Sequence, residues 1–252
     1  MLDPFAEITA YCMFIGYPRS GHSLCGAVLD AHPEIVISHE LDALSYVDRD
    51  ISRRTLFELI LQRNQWFVGR DCRWGRYTYR VPNQWQGRFK RLRIIGDKKG
   101  GHSTLHLETS PVLLRKLQVV VDVPLKLIHI VRNPFDNITA ISMRRNWPLR
   151  RATDLYFRMC ATNANVLREY SDLDTFTMRH EDLIAEPTLC IQHLIKFVGL
   201  ESPTDYLSDC KDLIFTLPSK SHLKVEWSKP LIDEVLGRIR LYEFLSGYLF
   251  ED

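Results

Sequence analysis

A chain of 252 residues, 45% of them apolar, can bury a large core and fits one α/β domain over residues 1–252 better than two. Its formal net charge of +2 is too small for bulk nucleic-acid binding, so any anion must be recognised by local clusters. Strand-like runs occur at 11–16, 92–96, 125–131 and 175–179, separated by helical patterns at 20–31, 54–63, 111–120, 134–145, 151–170 and 187–198. This alternation predicts a central parallel sheet flanked by helices on both faces. The pattern at 187–198 opens after Glu186 with Pro187 and stops at Gly199, the expected proline-in, glycine-out punctuation. A last helix at 230–246 puts Leu231, Val235, Ile239 and Tyr242 on one stripe, whose simplest role is packing.

The first chemical motif is Gly16-Tyr17-Pro18-Arg19-Ser20-Gly21-His22-Ser23. It follows the apolar run Tyr11 to Ile15 and precedes a helical pattern carrying Leu24, Val28 and Leu29, the strand–loop–helix order of a phosphate-binding turn. In such a turn backbone N–H groups and the positive helix end converge on one anion, and glycines let the main chain come close. An NTPase of this spacing carries lysine where His22 stands, so the motif reads as a phosphate grip without ATP chemistry. The bland alternative is an ordinary βα turn.

The loop and the stretch Leu29-Asp30-Ala31-His32-Pro33-Glu34, ending at His39-Glu40, resemble sulfotransferases that use 3′-phosphoadenosine 5′-phosphosulfate (PAPS). The likeness is closest to the tyrosylprotein sulfotransferases and their bacterial relatives. It implies a P-loop NTPase-like sulfotransferase fold, PAPS as donor and 3′,5′-adenosine bisphosphate (PAP) as product. It places the 5′-phosphosulfate on Arg19, Ser20, Gly21, His22, Ser23 and Leu24, and makes Glu40 the base for the acceptor. His22-Ser23 departs from the family's two threonines, though Ser23 keeps a hydroxyl.

Residues 63–93 match the family least and carry nine Lys/Arg residues against one acid, Asp71, interleaved with Trp66, Phe67, Trp74, Tyr77, Tyr79, Trp85 and Phe89. They fit a cap or insertion over 41–93 that binds the acceptor, and an anionic or aromatic acceptor suits the mixture. Packing of the aromatics on the sheet with solvated arginines is the bland alternative.

In Ile94-Ile95-Gly96-Asp97-Lys98-Lys99-Gly100-Gly101-His102 an apolar strand runs into two lysines. By resemblance Lys98, with Lys99 close behind, stabilises charge on the oxygen bridging phosphate and sulfate. His102 resembles the catalytic histidine of cytosolic sulfotransferases at longer spacing. His39, Glu40 and His102 are all eligible bases, and only the register from Arg19 favours Glu40.

Leu127 to Val131 reads as a buried strand ending at Arg132, with Asn133 and Pro134 as N-cap and first helical residue. Arg132 therefore sits at the carboxyl edge of the sheet and offers a planar fork to a phosphate, the rival being an arginine in a surface ion pair. The segment resembles the family's 3′-phosphate site, in which a serine follows eight residues later. Here that position is Ala140, and Thr139 or Ser142 is the stand-in.

Thr177 to Leu183 resembles the family's strand-to-helix passage, with His180 where tyrosine is usual. Ser219, Lys220 and Lys224, before Trp227, stand where the family closes a loop over the nucleotide, or else form a solvated polar loop.

The reading is therefore in-line transfer of a sulfuryl group from PAPS to a hydroxyl or amine of a small-molecule, glycan or peptide acceptor. No metal is required. The alternatives are a P-loop nucleoside or small-molecule kinase, which needs Mg²⁺ and a lysine on the β/γ-phosphates, and a nucleotide- or RNA-binding module built on the basic-aromatic segment. The six cysteines, at 12, 25, 72, 160, 190 and 210, form no Cys-x-x-Cys pair and no metal-ligand spacing and read as reduced core residues. No apolar run is long enough to span a bilayer and no signal peptide precedes the first strand, so a cytoplasmic protein is expected unless the chain is an excised catalytic domain. A homodimer stays open.

Overall fold

Strand β1 (Ala10–Gly16) is buried along its whole length because both of its faces carry a core. Ala10, Cys12 and Phe14 join one apolar cluster, and Tyr11, Met13 and Ile15 join another, the period of two expected for a central strand. The other strands are β2 (Ile35–His39), β3 (Arg73–Trp74), β4 (Tyr77–Thr78), β5 (Ile94–Lys98), β6 (Leu125–Val131) and β7 (Thr175–Arg179). Five of them form one parallel sheet in the order β2-β5-β1-β6-β7, while β3 and β4 pair as a separate antiparallel hairpin. The computed structural model describes residues 3–214, 217 and 219–251.

The helices are α1 (His22–Asp30), α2 (Ala43–Val47), α3 (Arg53–Val68), α4 (Gly101–Thr109), α5 (Leu113–Val121), α6 (Pro134–Arg145), α7 (Leu149–Glu169), α8 (His180–Ala185), α9 (Pro187–Phe197), α10 (Thr204–Leu213) and α11 (Lys229–Ile239). Helices α1, α8, α9 and α10 cover one face through Leu24, Val28, Leu183, Leu194 and Tyr206. Helices α2, α3 and α5 cover the other through Leu44, Phe57, Ile60 and Leu117. A third cluster joins α6, α7 and α11 through Ile138, Tyr156 and Val235. The expected α/β architecture, a parallel sheet between helical layers, is the one observed.

β6 and β7 fall on the expected residues, as does the start of α6, where Asn133 Oδ1 accepts the Phe135 N–H at 2.9 Å ahead of Pro134. Strand β5 runs on to Lys98 rather than stopping at 96. Gly96 is no turn there: a Cβ on it would lie 2.2 Å from the Cys12 carbonyl oxygen, so glycine allows β1 and β5 to meet. β2, β3, β4, α2, α4, α8 and α10 lie outside the expected patterns, and α11 ends at Ile239, short of the expected 246, followed by a 3₁₀ turn at Glu243–Leu245. Among the described residues no helix is long and apolar enough to cross a membrane. All six cysteines are free thiols, five of them buried.

Candidate active site

All five parallel strands deliver chemistry-bearing residues to one edge, because each ends there: β1 at Gly16, β2 at His39, β5 at Lys98, β6 at Val131 and β7 at Arg179. Ligands of open α/β sheets bind outside the carboxyl ends of the strands. The loop after β1 crosses this edge with three residues at positive φ, Gly16 at 140°, Arg19 at 73° and Gly21 at 98°. Gly21 is the N-cap of α1, no side chain caps that end, and no acid lies in the first turn. The first N–H groups and the positive helix end are thus left for an anion.

His22 does not point its ring at that anion position. Its Nε2 donates to the Ile15 carbonyl at 3.0 Å and its Nδ1 meets Ser20 Oγ at 3.1 Å, beneath the loop. A Cβ on Gly16 would come within 2.6 Å of His22 Nε2 and one on Gly100 within 2.8 Å of its Nδ1, so both glycines, at positive φ, make room for the imidazole. Burial holds the ring neutral, with its pKa down to about 4. Ser20 is spent on Tyr17 O and His22, and Leu24 turns into the core. What this part of the loop presents is backbone, together with the exposed Arg19 and the half-buried Ser23.

Lys98, buried at the end of β5, supplies the lysine that position 22 of the loop lacks. Its three N–H groups meet Glu40 Oε1 at 2.6 Å, Ser23 Oγ at 3.0 Å and His39 Nε2 at 3.3 Å. Lys99 approaches the other Glu40 oxygen at 3.2 Å. Burial alone would raise the Glu40 pKa, but Lys98 and then Lys99 outweigh it and hold the carboxylate ionised. Burial also lowers the Lys98 pKa, against the pull of Glu40. His39 is stacked on Phe67 at 4.0 Å with Trp74 edge-on at 4.9 Å. Burial, then Lys98 and Arg63, drive its pKa down to about 2, so the ring is neutral and its Nε2 accepts from Lys98.

Glu40 reaches this position from a strained turn. It has φ 62°, Asp42 has φ 71°, and buried Asp97 clamps the turn between them. Asp97 Oδ1 accepts from Leu41 N–H at 3.0 Å and Ser38 Oγ at 2.8 Å, while Oδ2 accepts from Asp42 N–H at 2.9 Å and Ala43 N–H at 3.0 Å. No motif visible in the sequence assigns Asp97 a role. The available signal was an acid immediately before Lys98 inside an apolar strand, where a charge needs donors.

Arg132 lies at the end of β6, as expected, but its guanidinium is engaged by the protein. It donates to the Ser219 carbonyl and to Arg19 O at 3.2 Å, and pairs with Asp136 Oδ2 at 3.3 Å, while its buried Nε has no hydrogen-bond partner. Asp136 also accepts from the backbone N–H of His222 and meets its Nδ1, both at 2.9 Å, tying the Ser219–Lys224 segment to α6. Thr139 Oγ1 accepts from Trp227 Nε1 at 3.3 Å and Ser142 Oγ donates to Trp147 O at 2.6 Å; both residues are buried, and Ala140 is half-buried between them. Ser219, Lys220 and Lys224 are exposed. His180 opens α8 beside the loop: a Cβ on Gly21 would lie 2.5 Å from its Nδ1, a buried atom with no hydrogen-bond partner. Burial, then Arg132, lower its pKa to about 4.

His102 is exposed on the first turn of α4, away from the Lys98 cluster's hydrogen bonds. The 63–93 segment divides. Its first half reaches the site: Trp74 meets His39, Arg63 donates to His39 O at 2.8 Å, the Tyr79 ring lies 5.9 Å from the His39 ring, and Arg19 lies 5.7 Å from the Tyr77 ring. Its second half runs along the opposite edge, where Trp85 N–H donates to Ala31 O and Lys90 N–H to Pro33 O.

A family model described as "Sulfotransferase family" matches residues 13–205, well over half of the chain. A search of curated proteins found no match. Among solved structures, the chain is similar to the sulfotransferase domain of the Synechococcus PCC 7002 olefin synthase at 16% identity and TM-score 0.53, covering 91% of this chain and 88% of that one. It is similar to the sulfotransferase domain of the curacin biosynthetic pathway at 14% identity and TM-score 0.55, covering 94% and 98%. A sulfotransferase from Alicyclobacillus acidocaldarius matches at 13% identity and TM-score 0.51, covering 95% and 96%. At these identities the likeness is one of fold.

Proposed function

The chain belongs to the sulfotransferase family, and on that premise we propose that it moves a sulfuryl group from PAPS to an acceptor hydroxyl or amine, with Glu40 as base and Lys98 on the leaving oxygen. The observation that carries this reading is Lys98 itself, a buried ammonium at a strand end whose three partners are the loop residue Ser23, Glu40 and neutral His39. The 5′-phosphosulfate rests on the uncapped start of α1 and the loop amides, with Arg19 and Lys98 on its oxygens.

The acceptor oxygen or nitrogen attacks sulfur in line with the bridging oxygen. The bond to that oxygen breaks and its electron pair leaves with PAP, while Glu40 takes the acceptor proton. Phosphosulfate competes with Glu40 for the Lys98 ammonium, so donor binding loosens the carboxylate's ion pair where it must act as a base. Lys98 and Arg19 supply the charge stabilisation, and the proposed step requires no metal. Arg132 and the unpartnered Nδ1 of His180 mark the nucleoside end, with Ser219, Lys220 and Lys224 as the closing segment. Binding a 3′-phosphate there requires Arg132 to exchange the Ser219 carbonyl for phosphate oxygens.

The kinase alternative needs an exposed lysine in the loop, and position 22 holds a buried neutral histidine instead. The branch nearest the tyrosylprotein enzymes is favoured because the eligible carboxylate, Glu40, pairs with Lys98, whereas His102 lies outside that cluster. The acceptor cap is the 41–80 part of the insertion, with Trp74, Tyr77 and Tyr79 as its floor. Arg63 lies against Trp74 and Arg76 against Tyr77, which suits an acceptor carrying an anionic or aromatic group, whether small molecule, glycan or peptide. Six free thiols support a reducing, cytoplasmic setting.

The test supplies PAPS labelled on sulfur together with phenol, amine and uronate-bearing acceptors. Labelled product that disappears in Glu40→Gln is expected. Phosphoryl transfer from labelled ATP, with none from PAPS, contradicts the proposal.

A further inference from the structure

We propose that Asp42, His102 and His106 form a site for one divalent transition-metal cation of the zinc class, beside the transfer site and independent of its chemistry. His102 and His106 are four residues apart on α4, so both rings leave the same helix face, the spacing by which paired histidines chelate zinc. Their ring centroids lie 6.4 Å apart. His106 Nε2 is 3.1 Å from Asp42 Oδ1 and 3.2 Å from Oδ2.

One ligand atom from each of the three residues lies within 4.8 Å of the others. A cation among three such atoms is no more than about 2.8 Å from each, and the usual zinc–nitrogen distance of about 2.0–2.1 Å needs only a small closure. His102 is exposed and free to make that movement by rotating. The carboxylate is already fixed. Asp42 is held at φ 71° with its N–H bonded to Asp97, and its buried Oδ1 has no hydrogen-bond partner, only the ion-pair approach of His106.

Two imidazoles and one carboxylate suit zinc, cobalt, nickel or copper better than magnesium or calcium, which prefer all-oxygen shells. Three protein ligands leave a fourth position for water. A bound cation bridges α4 to the turn that carries Glu40 two residues away, so it stiffens that turn without touching the transferring group.

The experiment uses untagged, metal-stripped full-length protein, titrated with Co²⁺ by visible absorption and with Zn²⁺ by calorimetry. One saturable equivalent with the d–d bands of a histidine-bound cobalt is expected. Asp42→Asn and His106→Gln should each weaken binding by at least the roughly 10-fold that even an outer-shell change costs. His102→Gln, at an exposed position, gives the same result without risk to folding, while His193→Gln, exposed on α9, changes nothing. Absence of saturable binding in the wild type, or equal affinity in wild type and His102→Gln, overturns the site. The readout is binding, so its failure leaves the sulfotransferase reading untouched.

Discussion

Lys98 Nζ lies 2.6 Å from Glu40 Oε1, joining a lysine side chain that is 2% exposed to a glutamate side chain that is 20% exposed. A pair this dry is costly to half-remove, because the surviving charge stays buried. Lys98→Met should therefore destabilise the fold by about 3 kcal/mol, the lower end of the range for a broken buried pair, since Lys99 still reaches Glu40. Lys98→Met with Glu40→Gln should recover part of that loss. Urea unfolding of the two single variants and the double variant measures the coupling, and strict additivity would show that the pair is not a unit.

Asp97 holds the Glu40 turn by four hydrogen bonds, three of them from backbone N–H groups. Asp97→Asn turns an amide NH₂ toward donors on one side. Turnover should fall at least 10-fold with the donor's KM unchanged, because the turn is displaced while the loop after β1 is not. A rise in donor KM with kcat intact would assign Asp97 to donor binding instead.

Asp30, in the stretch that carries the family resemblance, lies in the core rather than at the site. Its Oδ1 accepts from Ile37 N–H at 2.9 Å and Asn64 Nδ2 at 2.6 Å, yet burial pushes its pKa up to about 7. The folded protein therefore binds a proton that the unfolded chain releases near pH 4, so this group's contribution to stability is full below about pH 4 and is lost as pH rises through about 7. Asp30→Asn should flatten the decline in melting temperature between about pH 4 and 7 that Asp30 imposes on the wild type. An unchanged slope would mean that Asp30 is ionised throughout.

How much of this could be read from the residues depended on what each residue touches. Strands β6 and β7 and the Asn133-Pro134 start of α6 were legible because apolar runs and caps are local signals. β2 was not, since its five residues follow a turn closely and end in Ser38 and His39, polar but buried. The loop after β1 and Glu40 were legible as motifs. The burial of the His22 ring was not, because it depends on Gly16 and Gly100 coming together from separate segments. Trp74 and Trp85 look alike in sequence, but only the fold sends one to His39 and the other to the far edge.

The donor site can be tested without knowing the acceptor, by the melting shift with PAP compared with ADP and Mg·ATP. Transfer from PAPS predicts that PAP at 100 times its Kd stabilises by about 2.7 kcal/mol, roughly 5–10 °C for a chain of this size, with no need for Mg²⁺ and with little effect from ADP. In Arg132→Ala the preference for PAP over ADP should vanish. An equal shift with ADP, or a larger one with Mg·ATP, would contradict the assignment of this site to a 3′-phosphorylated sulfuryl donor.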